Sequence, residues 1–103
     1  NKMSVINANK NNFNTISKSE KPVLLDFYAS WCRPCQMVSR VLDEIAKERN
    51  DFLIAKINVE EEKDLAEQFG VMSIPTLMVL KDEKIINKSV GMKPKAKIIE
   101  MIQ

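Results

Sequence analysis

The stretch Val23-Leu24-Leu25-Asp26-Phe27-Tyr28-Ala29-Ser30-Trp31-Cys32-Arg33-Pro34-Cys35 runs from an apolar segment straight into the chain's two cysteines, and its reading decides the fold. Residues 23–29 are apolar on both faces, the pattern of a strand at the centre of a parallel sheet with helices covering each side. From Cys35 onward Val38, Val41, Leu42, Ile45 and Ala46 recur at helical spacing, while Arg40, Asp43, Glu44, Lys47 and Glu48 fall mostly on the other side. The period changes from strand to helix at the cysteines, so Cys32 is expected to cap the N-terminus of a long amphipathic helix that ends near Arg49-Asn50.

The rest of the chain extends this pattern in both directions. A short apolar segment at residues 3–6 is followed by an Asn-rich stretch, 7–12, that offers helix caps, and Phe13 and Ile16 mark one face of a short helix. Residues 52–59 read as a second buried strand, 64–69 as a short helix stopped by Gly70, and 76–80 and 85–90 as two more strands. Only Lys81-Asp82-Glu83-Lys84 joins the last two, which predicts an antiparallel hairpin, whereas strands separated by helices run parallel. Gly91 ends the last strand, and Pro94 suits the first turn of a closing helix that carries Ile98, Ile99 and Ile102 inward. The expectation is an α/β fold with a mixed sheet of about five strands, flanked by about four helices.

Bulk properties bound the function. At 103 residues, with 45% hydrophobic and 29% charged residues, residues 1–103 are expected to form a single domain around one core. The 16 basic and 14 acidic side chains are interspersed, and a net charge of +2 with no aromatic ladder gives no sign of a nucleic-acid partner. No apolar run approaches the ~20 residues that span a bilayer, and Asn1-Lys2-Met3-Ser4 lacks an apolar leader core. Met3 is the expected natural start, with Asn1-Lys2 as additions, and a reducing cytoplasm the expected compartment. Of the six methionines, Met37, Met72, Met78, Met92 and Met101 are expected in the core or at the rim of the site.

The Cys-x-x-Cys spacing admits zinc, haem or redox chemistry. A structural zinc site needs about four Cys or His ligands, and the chain has two Cys and no His. Covalent haem attachment needs His directly after the second cysteine, where Gln36 stands. Two inert buried thiols, or an iron–sulfur cluster bridging two chains, are the remaining alternatives to a redox dithiol. The position favours a redox dithiol: at a helix N-terminus, free N–H groups and the dipole favour an anion and lower a thiol pKa from about 8.5. Cys35, one turn further in, is within reach to resolve a mixed disulfide at Cys32.

Two other features bear on that chemistry. Asp26 lies among apolar residues, where a carboxylate is costly to bury unless paired or protonated. Either it faces water from an edge strand, or it sits beneath the dithiol with a raised pKa and accepts the Cys35 proton through a water, with Lys56 of the equally apolar second strand as partner. In Ser73-Ile74-Pro75-Thr76, proline just before a strand is met by an ordinary trans loop, the commoner case, or by a cis Ile74-Pro75 bond that leaves Ile74 backbone groups free to pair with an extended substrate.

Taken in order, D-F-Y-A-S-W-C-R-P-C, the A-K-I-N-V strand, S-I-P-T-L and the V-G before the last helix resemble the thioredoxin family over essentially the whole chain. The resemblance implies the thioredoxin fold, a cis Pro75, Cys32 as attacking thiol, Cys35 as resolving thiol, and an Asp26–Lys56 pair beneath them. It also implies a protein-disulfide reductase without bound cofactor or metal, re-reduced by a thioredoxin reductase drawing on NADPH. Trp31, Arg33, Pro34, Ile74, Pro75, Gly91 and Met92 would form the substrate-binding surface of a monomer. Four positions depart from the family pattern: Arg33 replaces the usual glycine, Arg40 a kinking proline and Tyr28 a common tryptophan, and the hairpin lacks its glycine. Arg33 beside Cys32 should favour the thiolate and make the couple more oxidising, which keeps a thiol oxidase or isomerase as the alternative; a glutathione-dependent reductase fits the surrounding residues less well. A non-enzymatic adaptor using the apolar surface around Trp31 and Ile74 is the rival from another class.

Overall fold

Every residue from Val23 to Phe27 is sealed from solvent because helices cover both faces of the strand that carries them. The computed structural model describes residues 5–103. In chain order these form β1 (Val5–Asn7), α1 (Phe13–Ser17), β2 (Val23–Tyr28), α2 (Arg33–Glu48), β3 (Leu53–Asn58), α3 (Lys63–Gln68), β4 (Thr76–Lys81), β5 (Lys84–Val90) and α4 (Lys95–Ile102). The sheet order is β1-β3-β2-β4-β5. β1, β3 and β2 run parallel; β4 is antiparallel to β2 and to β5. The mixed sheet expected from the connection lengths is the one observed. The apolar segment expected at residues 3–6 begins partly outside the described residues, as does the Met3 start.

Strand alternation sorts the core into two layers. Val23, Leu25 and Phe27 point to α1 and α3, where they pack with Phe13, Ile16, Leu65 and Phe69. Leu24 points the other way, to Val38, Leu42 and Ile45 of α2 and Ile98 and Met101 of α4, with Ile54, Leu77 and Val79 beside it. Each fully buried Leu or Ile in these layers contributes about 1.5–3 kcal/mol relative to an exposed one. Asp26, two residues after Leu24, shares the α2 face. Lys56, two residues after Ile54, lies beside it in register. Period-2 geometry therefore carries a carboxyl and an ammonium to the layer beneath the helix that bears the cysteines.

α2 runs without interruption from Arg33 to Glu48, so Arg40 leaves the middle of the helix regular. Cys32 is its N-cap, Pro34 lies in its first turn, and Lys95 ties it to α4 by reaching Glu48 at 2.7 Å and Glu44 at 3.4 Å. The Asn-rich stretch behaves differently from a helix cap. Asn12 occupies the N-cap position of α1 but its side chain caps nothing. Instead Asn9 Oδ1 accepts the N–H groups of Asn11 and Asn12, Asn12 Oδ1 accepts that of Asn9, and Asn12 Nδ2 donates to Asn7. These amides satisfy a tight β1–α1 connection, the competing use of Asn side chains. Pro94 stands at the N-cap of α4, one position before the helix rather than within its first turn.

β4 and β5 are joined by a two-residue turn in which Asp82 and Glu83 both adopt positive φ, 50° and 65°. This is the twist-matched geometry of a primed hairpin turn, which normally selects Asn-Gly or Asp-Gly. Glu83 bears the left-handed cost of a residue with Cβ, so Glu83→Gly is expected to raise stability by about 0.5–1 kcal/mol; chemical denaturation checks this, and an unchanged or lower midpoint would contradict it. A second expectation follows from Asp26. Burial raises its pKa from 3.8 to about 7, with Lys56 partly opposing the shift. Its folded pKa lies above its unfolded one, so the native state gains most below pH 4 and loses that gain as pH rises through 7. Asp26→Asn removes the loss, giving a relative stabilisation on the order of 4 kcal/mol at pH 8 compared with pH 4. Urea unfolding at the two pH values tests it; an equal change at both would refute it.

Candidate functional site

The site is assembled where β2 ends and α2 begins. Ala29 and Ser30 turn the chain, the N–H of Cys32 donates to Ala29 O, and Gln36 Nε2 donates to Ser30 O. Cys32 is extended at φ −85°, ψ 112°, and its sulfur accepts the backbone N–H of Cys35 at 3.2 Å. A side-chain acceptor at the N-cap satisfies one of the helix's free donors, and here the acceptor is a sulfur. The helical turn leaves the two Cα atoms 5.2 Å apart, within disulfide range, and the two cysteines are joined as a disulfide. Cys32 is 5% exposed and Cys35 2%, packed with Ala29, Tyr28, Val59 and Ile74.

Around the disulfide lies a partly apolar rim. Trp31 is 67% exposed and its indole N–H donates to Glu60 at 2.8 Å, which fixes the ring's orientation from the β3–α3 loop. Arg33 and Pro34 are exposed on the first turn of α2. Opposite them, Ile74-Pro75 is a cis peptide, with Ile74 against the cysteine cluster and Pro75 buried. Thr76 Oγ1 donates to Ser73 O, and the N–H of Gly91 donates to Pro75 O at 2.8 Å. Gly91, at φ 91°, makes the turn that lets β5 end against this loop, and the exposed Met92 follows it. Met72, 94% exposed, and Met37 also lie on the surface, while Met78 and Met101 belong to the core.

Beneath the disulfide are the two charged residues singled out from the sequence. Asp26 is fully buried on a central strand, which excludes the edge-strand reading, and neither carboxyl oxygen accepts a hydrogen bond from the protein. Burial is the main cause of its raised pKa, and the nearby Lys56 the opposing one. Lys56 is Asp26's neighbour in register, yet its ammonium is bonded to Ser39 Oγ and lies 5.5 Å from the Tyr28 ring centre. The expected Asp26–Lys56 pair is therefore a juxtaposition across strands rather than a closed ion pair. Ser39 and Glu60 escaped the sequence reading. Ser39 stands four residues after Cys35 on the same helix stripe, a hydroxyl where the pattern offers apolar residues, and that was its only signal.

A cavity of about 170 Å³ opens behind Cys35, lined by Tyr28, Ala29, Ser30, Cys35, Gln36, Ser39 and Lys56. Burial also raises the Tyr28 phenol's pKa, against a lowering hydrogen bond with Asn58. Among the described residues no group of three or more His, Cys, Asp or Glu side chains is placed to hold a metal ion, and no helix is long and apolar enough to cross a membrane. The arrangement can make and break one disulfide at the protein surface and keep an ionisable carboxyl in the layer below it.

Comparison with known proteins agrees with that chemistry. The sequence model of the thioredoxin family matches residues 4–103. Thioredoxin of Bacillus subtilis (strain 168) is 46% identical over 101 residues, covering 97% of this chain and 96% of the relative. Thioredoxin of Listeria monocytogenes serovar 1/2a is 47% identical over 85 residues, 82% of each chain. Among solved structures, a mutant thioredoxin from Halobacterium salinarum NRC-1 superposes with a TM-score of 0.87 at 33% identity, over 95% of this chain and 86% of that one. With its cysteine pair joined at the head of α2 and its fold matched along nearly the whole length, the chain belongs to the thioredoxin family of dithiol–disulfide oxidoreductases, which act on protein disulfides.

Proposed function

We propose that Cys32 is the attacking thiol, Cys35 the resolving thiol and Asp26 the acceptor of the Cys35 proton. The observation that carries this reading is the N-cap geometry: the Cys32 sulfur already accepts the Cys35 N–H, so a thiolate there meets a donor and the positive end of a helix dipole. In the reduced protein the Cys32 thiolate attacks one sulfur of a target disulfide. A mixed disulfide forms, and the other target sulfur leaves as a thiolate and takes up a proton. Cys35 then loses its proton toward Asp26 and attacks the Cys32 sulfur, forming the Cys32–Cys35 disulfide and releasing the second target sulfur. The second target sulfur also leaves as a thiolate and takes up a proton from solvent, so that two electrons pass from the dithiol to the target while its two protons are exchanged through Asp26 and solvent.

The raised pKa of Asp26 suits the transfer, because a group titrating near 7 is a working base at neutral pH. The cavity behind Cys35, lined by Ser39 and Lys56, has room for a water that could carry the thiol proton away from Cys35. Trp31, Arg33, Pro34, Ile74, Pro75, Gly91 and Met92 form the proposed surface for extended protein substrates, largely apolar, with Trp31, Arg33, Pro34 and Met92 exposed. A thioredoxin reductase drawing on NADPH would return the disulfide to the dithiol. A reducing compartment such as the cytoplasm, and action as a single-domain monomer, complete the reading.

Serine substitution tests the two thiol roles. Cys32→Ser is expected to abolish reduction of a protein disulfide substrate, whereas Cys35→Ser should accumulate a mixed disulfide that dithiothreitol releases. Unaltered partner affinity and function in Cys32→Ser would leave the adaptor reading standing instead. The exposed Arg33 is expected to raise the potential of the couple, so Arg33→Gly should move it to more reducing values by up to about 30 mV, equivalent to about 1.4 kcal/mol. Equilibration with glutathione, read by Trp31 fluorescence, measures the shift; an unchanged potential would confine Arg33 to substrate choice.

A further inference from the structure

The layer beneath the disulfide contains an opposed pair that does not close. Asp26 and Lys56 are in-register neighbours on adjacent parallel strands, pointing to the same face of the sheet. An ammonium beside a buried carboxyl with no other partner should turn toward it, since the attraction strengthens as the surroundings dry. It does not: Lys56 Nζ donates to Ser39 Oγ and sits over the face of Tyr28, while both Asp26 oxygens remain without a hydrogen bond from the protein. Ser39 is four residues beyond Cys35 on α2, so its hydroxyl points into the same cavity that Cys35 and Lys56 line.

We propose that Ser39 is a positioning residue that, together with the Tyr28 ring, holds the Lys56 ammonium at the cavity wall and off the Asp26 carboxyl. The proposal rests on the proton-acceptor reading of Asp26 for its catalytic meaning and on geometry for its existence. The physical consequence is a division of labour. A closed ion pair would stabilise the carboxylate and make it a weak base, poor at taking a thiol proton near neutral pH. Held off, the ammonium still lowers the cost of ionisation at short range, but leaves a carboxyl whose proton affinity suits exchange. Because Lys56 also lines the cavity behind Cys35, the resting place of its ammonium sets how polar that space is.

The groups that bear on Asp26 are few. Lys56 comes from β3, Tyr28 lies on its own strand with Glu61 acting on the phenol, and Cys35 lines the cavity from α2. β4 places Leu77 beside it, and α4 contributes Ile98 and Met101 to this face. Lys56 is the one charged side chain acting on the carboxyl among the described residues, so the position of one ammonium controls the local field.

The test follows the Asp26 carboxyl directly, by carbon-13 chemical shift between pH 4 and 9 in the intact oxidised protein. Ser39→Ala should free the ammonium to close on Asp26 and lower the titration midpoint by about one pH unit, a tenfold loss of proton affinity. Ser39→Thr, which restores a hydroxyl, should return it. In a Lys56→Met background Ser39→Ala should have no further effect, because nothing remains to be positioned. An unmoved midpoint in Ser39→Ala, or a shift that persists without Lys56, would overturn the proposal. Asp26→Asn separates this from the underlying reading: if the pH profile of disulfide exchange is unaltered in that variant, the proton-acceptor role falls, while the carboxyl midpoint still decides the role of Ser39.

Discussion

Helices packed on both faces of β2 are the constraint from which the remaining features follow. A strand sealed on two sides must be nearly all apolar, and Val23, Leu24, Leu25 and Phe27 satisfy that demand. The same enclosure sets the direction in which the chain leaves the sheet, so that Ala29 and Ser30 deliver Cys32 to the head of α2 instead of to its side. The stripe of Val38, Leu42 and Ile45 then anchors that helix to the sheet. The cysteines are thus held at the end of a rigid element, with their spacing fixed by helical geometry and their environment by the layer underneath.

That enclosure also gives Asp26 its chemistry. A carboxyl at an exposed strand position would titrate as an ordinary acid; at 0% exposure it resists ionisation until near neutral pH. The protein accepts a local instability in its most buried strand, on the face covered by the helix that carries the cysteines. Stability and proton transfer make opposite demands on this residue, as is common where a buried polar group is retained at a working site.

Much of this was legible in the sequence because periodicity carries it. Alternation placed β2, the 3.6-residue stripe placed α2, and a four-residue connector announced the β4–β5 hairpin. The cysteine spacing at the junction of two periods placed the centre of the site. What escaped depended on contacts between segments far apart in the chain. Glu60 meets Trp31 across 29 positions and Ser39 meets Lys56 across 17, and neither partner carries a local mark of the other. The Asn run misled for a different reason. Its side chains suit a cap and a tight turn equally well, and the short span between β1 and α1 decided for the turn. Lys56 was correctly placed beside Asp26, but which acceptor its flexible side chain chose depended on a third residue.

β5 closes one edge of the sheet, and an edge strand of seven residues offers a row of free backbone groups to any passing chain. Ile85, Ile86 and Val90 make that edge apolar enough to be a hazard. Lys84 and Lys88 are interleaved with them, so a second copy laid antiparallel alongside would bring like charges together, and the irregular register at Val79/Leu80 bends the hairpin away from the flat geometry such stacking needs. The opposite edge, β1, spans Val5–Asn7 among the described residues. A protein that exchanges disulfides with other chains thereby guards itself against joining them in a shared sheet.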